Sequence, residues 1–247
     1  MQNSSELMQA LIRIQERTSE FFFGLERIPE KLRSALEDLA KLGWFLDAEM
    51  TFPFIGKLGK LLKNKRVEDA ENALIDYFRE NLSIIARKLE ADYPNRSAPV
   101  SAAITAHERC EYYLSIPVFL AQSEGIFREL MQRLLFSDKD KDEGKLFSDK
   151  VRKEAIAKCI ENIQDASDVE PLLYPLTCSL PISASQKQRG QDFNALNRHQ
   201  VLHGEISDYG SEINSLKAIS FLNHIASVVG QIREEEKAAE HEPNCFR

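Results

Sequence analysis

Apolar residues recur along this chain at helical spacing and nowhere alternate convincingly with period two, so the pattern predicts helices and no strand. A first helix is expected over Ser4–Gly24, with Leu7, Leu11, Ile14 and the run Phe21-Phe22-Phe23 on its apolar face. Pro29 opens a second, carrying Leu32, Leu36 and Leu39 and stopping near Gly43. Trp44 lies in GWFLDAEMTFP, apolar but aperiodic, which reads as a packed connector. Phe54–Arg66 is short and amphipathic. Glu68–Ala91 is a long helix with Ala70, Leu74, Tyr77, Phe78, Ile85 and Leu89 on one side. DYPNRSAP, residues 92–99, is a turn by composition. Val100–Phe136 is then one continuous helical pattern, in which Pro117 is expected to make a kink or a break.

The second half of the chain alternates polar joints with apolar helices. Ser137–Lys150 is a charged loop, Ser148–Ile163 a helix, Val169–Leu180 an apolar segment ending at Pro181, and Ile182–Gly190 a polar linker. Asp192–His203 reads as helix, EISDYGS at 205–211 as a loop, and Ile213–Glu236 as a closing helix. The polar tail from Lys237 is expected to fray. The fold class is therefore all-α, an antiparallel helical bundle. A division near residue 95 is expected, with an N-terminal helical extension over 1–95 and the bundle over 98–240.

Composition narrows the functional classes. Hydrophobic residues make up 43% and charged residues 29% of 247, enough for a proper buried core in a globular domain. Net charge is −7, which counts against indiscriminate polyanion binding, because affinity for nucleic acid grows with the number of phosphates neutralised. It leaves room for an enzyme with a local cationic pocket. Cys110, Cys159, Cys178 and Cys245 lie far apart without a CxxC pair, as in a reducing compartment. No signal-peptide pattern and no membrane-length apolar window is present, so a cytoplasmic, membrane-free location is expected.

The candidate chemistry concentrates in Phe193–Gly204, FNALNRHQVLHG. Arg198 and His203 stand five apart, with His199 directly after the arginine. Neutral histidine can accept the proton of a ribose 2′-hydroxyl, and a guanidinium can stabilise the charge that gathers on an attacked phosphate. In a regular helix, residues five apart are turned about 140° from each other. Either the helix distorts before Gly204, or half of the site comes from elsewhere. Gly204 is a natural helix end, leaving His203 in the last turn, where the helix C-terminus favours an imidazolium able to donate a proton.

Other residues enter as support or as alternatives. A buried carboxylate needs a partner, and Arg198 is the obvious one for Glu124, with Gln122 on the same helix. Asn197, Tyr209 and Asn214 flank the motif and read as loop-holding. His199 and His203 share the i, i+4 spacing of a zinc pair, but local spacing places no third ligand, and no metal or cofactor is expected. Lys57, Lys60, Lys63, Lys65 and Arg66 are either a solvated face or a backbone-binding patch for RNA. His107, near Cys110, reads as a surface or core residue, and His224 as a packed one.

R-H-x-x-x-H at Arg198–His203 resembles the R-x4–6-H motif of the HEPN superfamily (higher eukaryotes and prokaryotes nucleotide-binding). The stretch NRHQVLHGEISDYGSEINSLKAISFLNHI, preceded by AQSEGIFREL at 121–130, is similar to bacterial HEPN-like proteins that pair an AQxDGI-type helix with an NRHxxLHG…DYGT…NSLKA block. Glu124 stands where aspartate is usual and Ser211 where threonine is commoner. The resemblance covers roughly residues 100–235, and GWFLDAEM extends it toward the N-terminal part. It implies a small helical bundle and a metal-independent endoribonuclease of a defence or toxin system. Arg198 and His203 from two protomers would then face each other and leave a 2′,3′-cyclic phosphate. It also implies a homodimer and a protein partner that senses invasion, such as a short Argonaute, an ATPase or an antitoxin. The competing expectation is a non-catalytic HEPN-like module that binds RNA, a nucleotide or a protein.

Overall fold

The computed structural model describes residues 30–135 and 170–241. The helices expected over Ser4–Gly24 and Ser148–Ile163, and the charged loop expected over Ser137–Lys150, lie outside the described residues. The described chain folds as an all-α bundle. Its helices are α1 (Glu30–Lys41), α2 (Phe52–Lys63), α3 (Val67–Asp92), α4 (Ser97–Glu108), α5 (Tyr112–Leu135), α6 (Glu170–Thr177), α7 (Arg198–Leu202) and α8 (Glu212–His241).

α8 is the spine. It packs along α5 and also touches α3 and α6. Its Leu216, Ile219, Leu222, Val228 and Val229 are fully buried, as the spacing of its apolar residues requires. α4 lies between α3 and α5, α2 between α1 and α3, and α6 lies against α1. One apolar cluster runs from Leu36 on α1 to Ile232 on α8, so residues 30–95 share their core with the helices that follow.

Trp44 shows how the connector is packed. Its ring stacks on Phe78 with centroids 5.8 Å apart, and Nε1 donates to Glu71 Oε1 at 3.0 Å. Lys217 on α8 bonds the same carboxylate at 2.8 Å and sits over the indole ring. Asp47, buried in this connector, accepts from Tyr77 Oη at 3.0 Å and from the Glu49 amide at 3.1 Å, as a buried carboxylate must. His224 is packed, its Nδ1 3.1 Å from the Leu46 carbonyl.

Several boundaries differ from expectation. The pattern over Val100–Phe136 breaks at Arg109–Glu111, not at Pro117. Cys110 adopts a left-handed φ of 61°, and the Glu111 and Cys110 amides bond back to the Ala106 and His107 carbonyls. That is a Schellman turn with cysteine in the place glycine usually takes. Pro117 is absorbed inside α5. Asp192–His203 is helical only over Arg198–Leu202, because Asn197 caps the helix and the residues before it are irregular. At the other end the last helix outruns its expected stop at Glu236 and reaches His241.

Candidate functional site

α7 is one turn held at both ends. Asn197 is extended, and its Oδ1 accepts the Gln200 amide at 3.0 Å, a side-chain N-cap. The same buried side chain donates through Nδ2 to the Pro181 and Ala184 carbonyls at 2.7 and 2.9 Å. Asn197 thus pins α7 to the segment after α6, and its role is to hold. At the other end Gly204 takes φ 68°, and the Glu205 amide returns to the Gln200 carbonyl at 2.8 Å. The expected helix stop at Gly204 is present, with His203 as the capping residue just past the last helical one.

Arg198, His199 and His203 form a continuous row. Arg198 is buried, and its Nη1 lies 3.2 Å from Glu124 Oε2 on α5. Its Nη2 lies 3.1 Å from His199 Nε2. A guanidinium has only donors, so Nε2 must offer a lone pair and His199 is the neutral tautomer protonated on Nδ1. Burial, then the Arg198 charge, then His203 and Arg189 push His199 below its ordinary value, against a smaller upward pull from Glu124. The geometry and the electrostatics therefore agree on an imidazole kept unprotonated. The His199 and His203 rings stack, 5.9 Å apart and 8° from parallel, and His203 is exposed. The row runs from a guanidinium inside the protein to an imidazole in solvent.

Glu124 is the arginine's counter-ion, as its place on an apolar helix face suggested. Gln122 is not part of the row: its Oε1 accepts from Arg96 Nη1 at 2.9 Å, in a separate network that includes Glu129 and Arg233. A cavity of about 30 Å³ opens beside the Arg198–Glu124 pair, lined chiefly by apolar groups such as Leu176, Leu180 and Phe221. It has room for roughly one or two waters, less than a nucleotide needs, and the solvent-exposed member of the row is His203.

The loop after the motif is locked to α5. Pro117 has no amide hydrogen to give the Tyr113 carbonyl, and the Tyr209 hydroxyl donates to that oxygen at 3.3 Å. The two tyrosine rings meet edge to face at 5.2 Å. A side chain at Gly210 would run into the Tyr113 ring. Asn214 Nδ2 donates to the Tyr209 carbonyl at 3.0 Å, and Ser211 Oγ caps α8 by accepting the Asn214 amide at 3.2 Å. Tyr209 and Asn214 hold the loop.

The remaining candidates lie apart. Lys57, Lys60, Lys63, Lys65 and Arg66 are all exposed, on and just after α2, whose packing partners are α1 and α3, whereas α7 packs on α5 and the 181–183 turn. Arg66 is engaged by Asp69 at 2.7 Å. His107 is buried and shares a hydroxyl network with Ser215 (2.8 Å) and Ser115, while Cys110 is exposed. Among the described residues His199 and His203 gain no third side chain that would complete a metal site. One residue near the row has no signal in the sequence pattern. Arg189, from the polar linker, has a side chain only 8% exposed and bonds Glu205 at 2.7 Å. Its partner is sixteen residues away, beyond the reach of any local spacing rule.

Among known proteins, no family model, no curated sequence and no solved structure matches this chain.

Proposed function

We propose that the chain is a metal-independent RNA endonuclease of the HEPN type, the toxic effector of a bacterial defence system, acting from the cytoplasm as a homodimer under the control of a sensing partner. The observation that carries this reading is the row itself: a guanidinium bonded to a neutral imidazole, which stacks on a second, solvent-facing imidazole.

The chemistry is a transesterification. A neutral imidazole takes the proton of the 2′-hydroxyl, the 2′ oxygen bonds to phosphorus, and the phosphorus–5′ oxygen bond breaks. The departing oxygen takes a proton from an imidazolium, leaving a 2′,3′-cyclic phosphate. Arg198 stabilises the charge on the phosphoryl oxygens. In this reading His203, the exposed member, meets RNA. Glu124 and His199 fix the plane of the guanidinium, and a second protomer supplies the opposing half.

The test is cleavage of RNA by the purified full chain in a chelator, with growth arrest on expression as the cellular readout. Arg198→Ala and His203→Ala are each expected to lower cleavage by at least about 100-fold, the usual span for loss of acid–base or electrostatic groups. Equal cleavage by all three proteins removes both residues from catalysis.

One observation favours the other reading, a non-catalytic helical module. Arg198 is buried and already paired, as in a structural ion pair. On that reading Arg198→Ala lowers the melting temperature and no RNA is cut with or without a partner.

A further inference from the structure

Arg189 is the strongest unexplained group outside the row. Its side chain is 8% exposed, no more open than that of Arg198 at 9%. Nη1 meets Glu205 Oε2 at 2.7 Å, but among the described residues the buried Nε has no hydrogen-bond partner. A buried donor on a charged group is normally satisfied, because leaving it so forfeits its hydration without replacement. Nε is also the donor that, together with a terminal N–H, forms the side-on fork matching two phosphate oxygens.

The counter-ion is placed to be exchanged. Glu205 follows the motif's glycine and is held by its backbone to Gln200, so it cannot drift from α7. Its side chain is 43% exposed, so the carboxylate can turn to water while Arg189 stays buried. The Arg189 charge also reaches the motif, since it helps to keep His199 unprotonated. Arg198 and Arg189, each bonded to a carboxylate, thus both act on His199.

We propose that Arg189 is a second anion-binding residue of this site, that it takes a phosphate of single-stranded RNA next to the linkage addressed by Arg198, and that Glu205 is the internal counter-ion this phosphate displaces. The inference rests on the ribonuclease reading above. It makes Glu205 a stand-in for substrate and gives the site a footprint longer than one linkage. It also fits the acidic net charge: affinity comes from two shielded arginines and not from a basic surface.

Binding is measured with a fluorescent 2′-O-methyl oligoribonucleotide, which lacks the attacking hydroxyl and reports affinity independently of cleavage. Full-length wild type, Arg198→Gln, Arg189→Gln, Arg189→Lys and Glu205→Gln are titrated at several salt concentrations. Arg189→Gln is expected to weaken binding about tenfold and to flatten the log K against log salt slope by about 0.7. Arg189→Lys should keep the slope and lose affinity, since it retains the charge without the fork. Glu205→Gln should tighten binding, because the competing carboxylate charge is gone. If Arg198→Gln weakens binding while Arg189→Gln leaves affinity and slope unchanged, Arg189 is not part of the site and the ribonuclease reading survives. If wild type does not bind the oligonucleotide, both fall together. Should Arg189→Gln fail to fold, a Glu205→Gln protein that binds no tighter than wild type overturns the proposal by itself.

Discussion

At the scale of single residues, the hydrogen bond from Arg198 to His199 is the most informative contact, because it fixes which form of the imidazole the fold prefers. His199 and His107 both sit below their ordinary value, burial being the first cause for each. The charges facing His199 are Arg198, His203, Arg189 and Glu124, and those facing His107 are Glu212, Glu108 and Arg79. A histidine that resists protonation when folded makes stability fall as pH drops below its unfolded value of about 6.5, because the unfolded chain takes up the proton first. Glu37 and Glu212 are displaced downward by Lys41 and Arg79, and their contribution is lost only below about pH 4.5. Melting temperature should therefore begin to decline as pH falls below about 6.5, these histidines contributing before the two carboxylates do. His107→Gln should flatten that decline, and a slope identical to wild type would exclude His107 as a source. In a histidine NMR titration, Arg198→Ala should raise the value of His199, since it removes a cation while burial persists. The pairing of Glu124 with Arg198 was legible in the sequence because a carboxylate on an apolar helix face demands a cation. Arg189 was not, because nothing in QKQRGQD distinguishes it from a solvated linker charge.

Elements were legible in type and less so in extent, and the misplaced boundaries have physical causes. Helix over the 100–136 stretch follows from its apolar spacing, and Pro117 reads as the break. The fold instead repairs the proline, supplying the Tyr209 hydroxyl to the carbonyl that lost its partner. Restoring the amide in Pro117→Ala should make the Tyr209 hydroxyl redundant. Tyr209→Phe alone is expected to lower stability by about 1 kcal/mol, and by clearly less in the Pro117→Ala background. A double-mutant cycle in urea with zero coupling would sever the two residues. The true break, at Cys110, is invisible to periodicity because it depends on a left-handed residue that sequence does not require to be cysteine. Cys110→Gly should stabilise by about 1 kcal/mol, the relief of left-handed strain less the added flexibility of the unfolded chain. Asn197 ended the motif helix earlier than its apolar pattern suggests for a similar reason: its side chain satisfies the Gln200 amide and two distant carbonyls at once. No spacing rule anticipates bonds to residues 181 and 184.

For the whole molecule, the question is whether one chain can carry a complete site. α7 is a single turn, so Arg198 and His203 stand at its two ends, and their side chains differ in environment, one buried and one exposed. Linked through His199, the buried guanidinium and the solvent-facing imidazole of one chain stand at opposite ends of the row, whereas the transesterification needs charge stabilisation and an acid–base imidazole at the same linkage. A second row facing the first supplies what one lacks, and the proposed dimer follows from that need. It makes a prediction no monomeric mechanism shares. Arg198→Ala and His203→Ala, each inactive alone, should recover part of the activity when mixed, because about half of randomly paired dimers then hold one intact Arg198 opposite one intact His203. Specific activity of wild type should also rise with protein concentration until the dimer is saturated. The experiment reads cleavage rate against the mixing ratio of the two variants, with a maximum expected near equal amounts. A mixture as inactive as its components, from proteins shown by sedimentation to exchange subunits, would confine the chemistry to a single protomer and end the composite-site proposal.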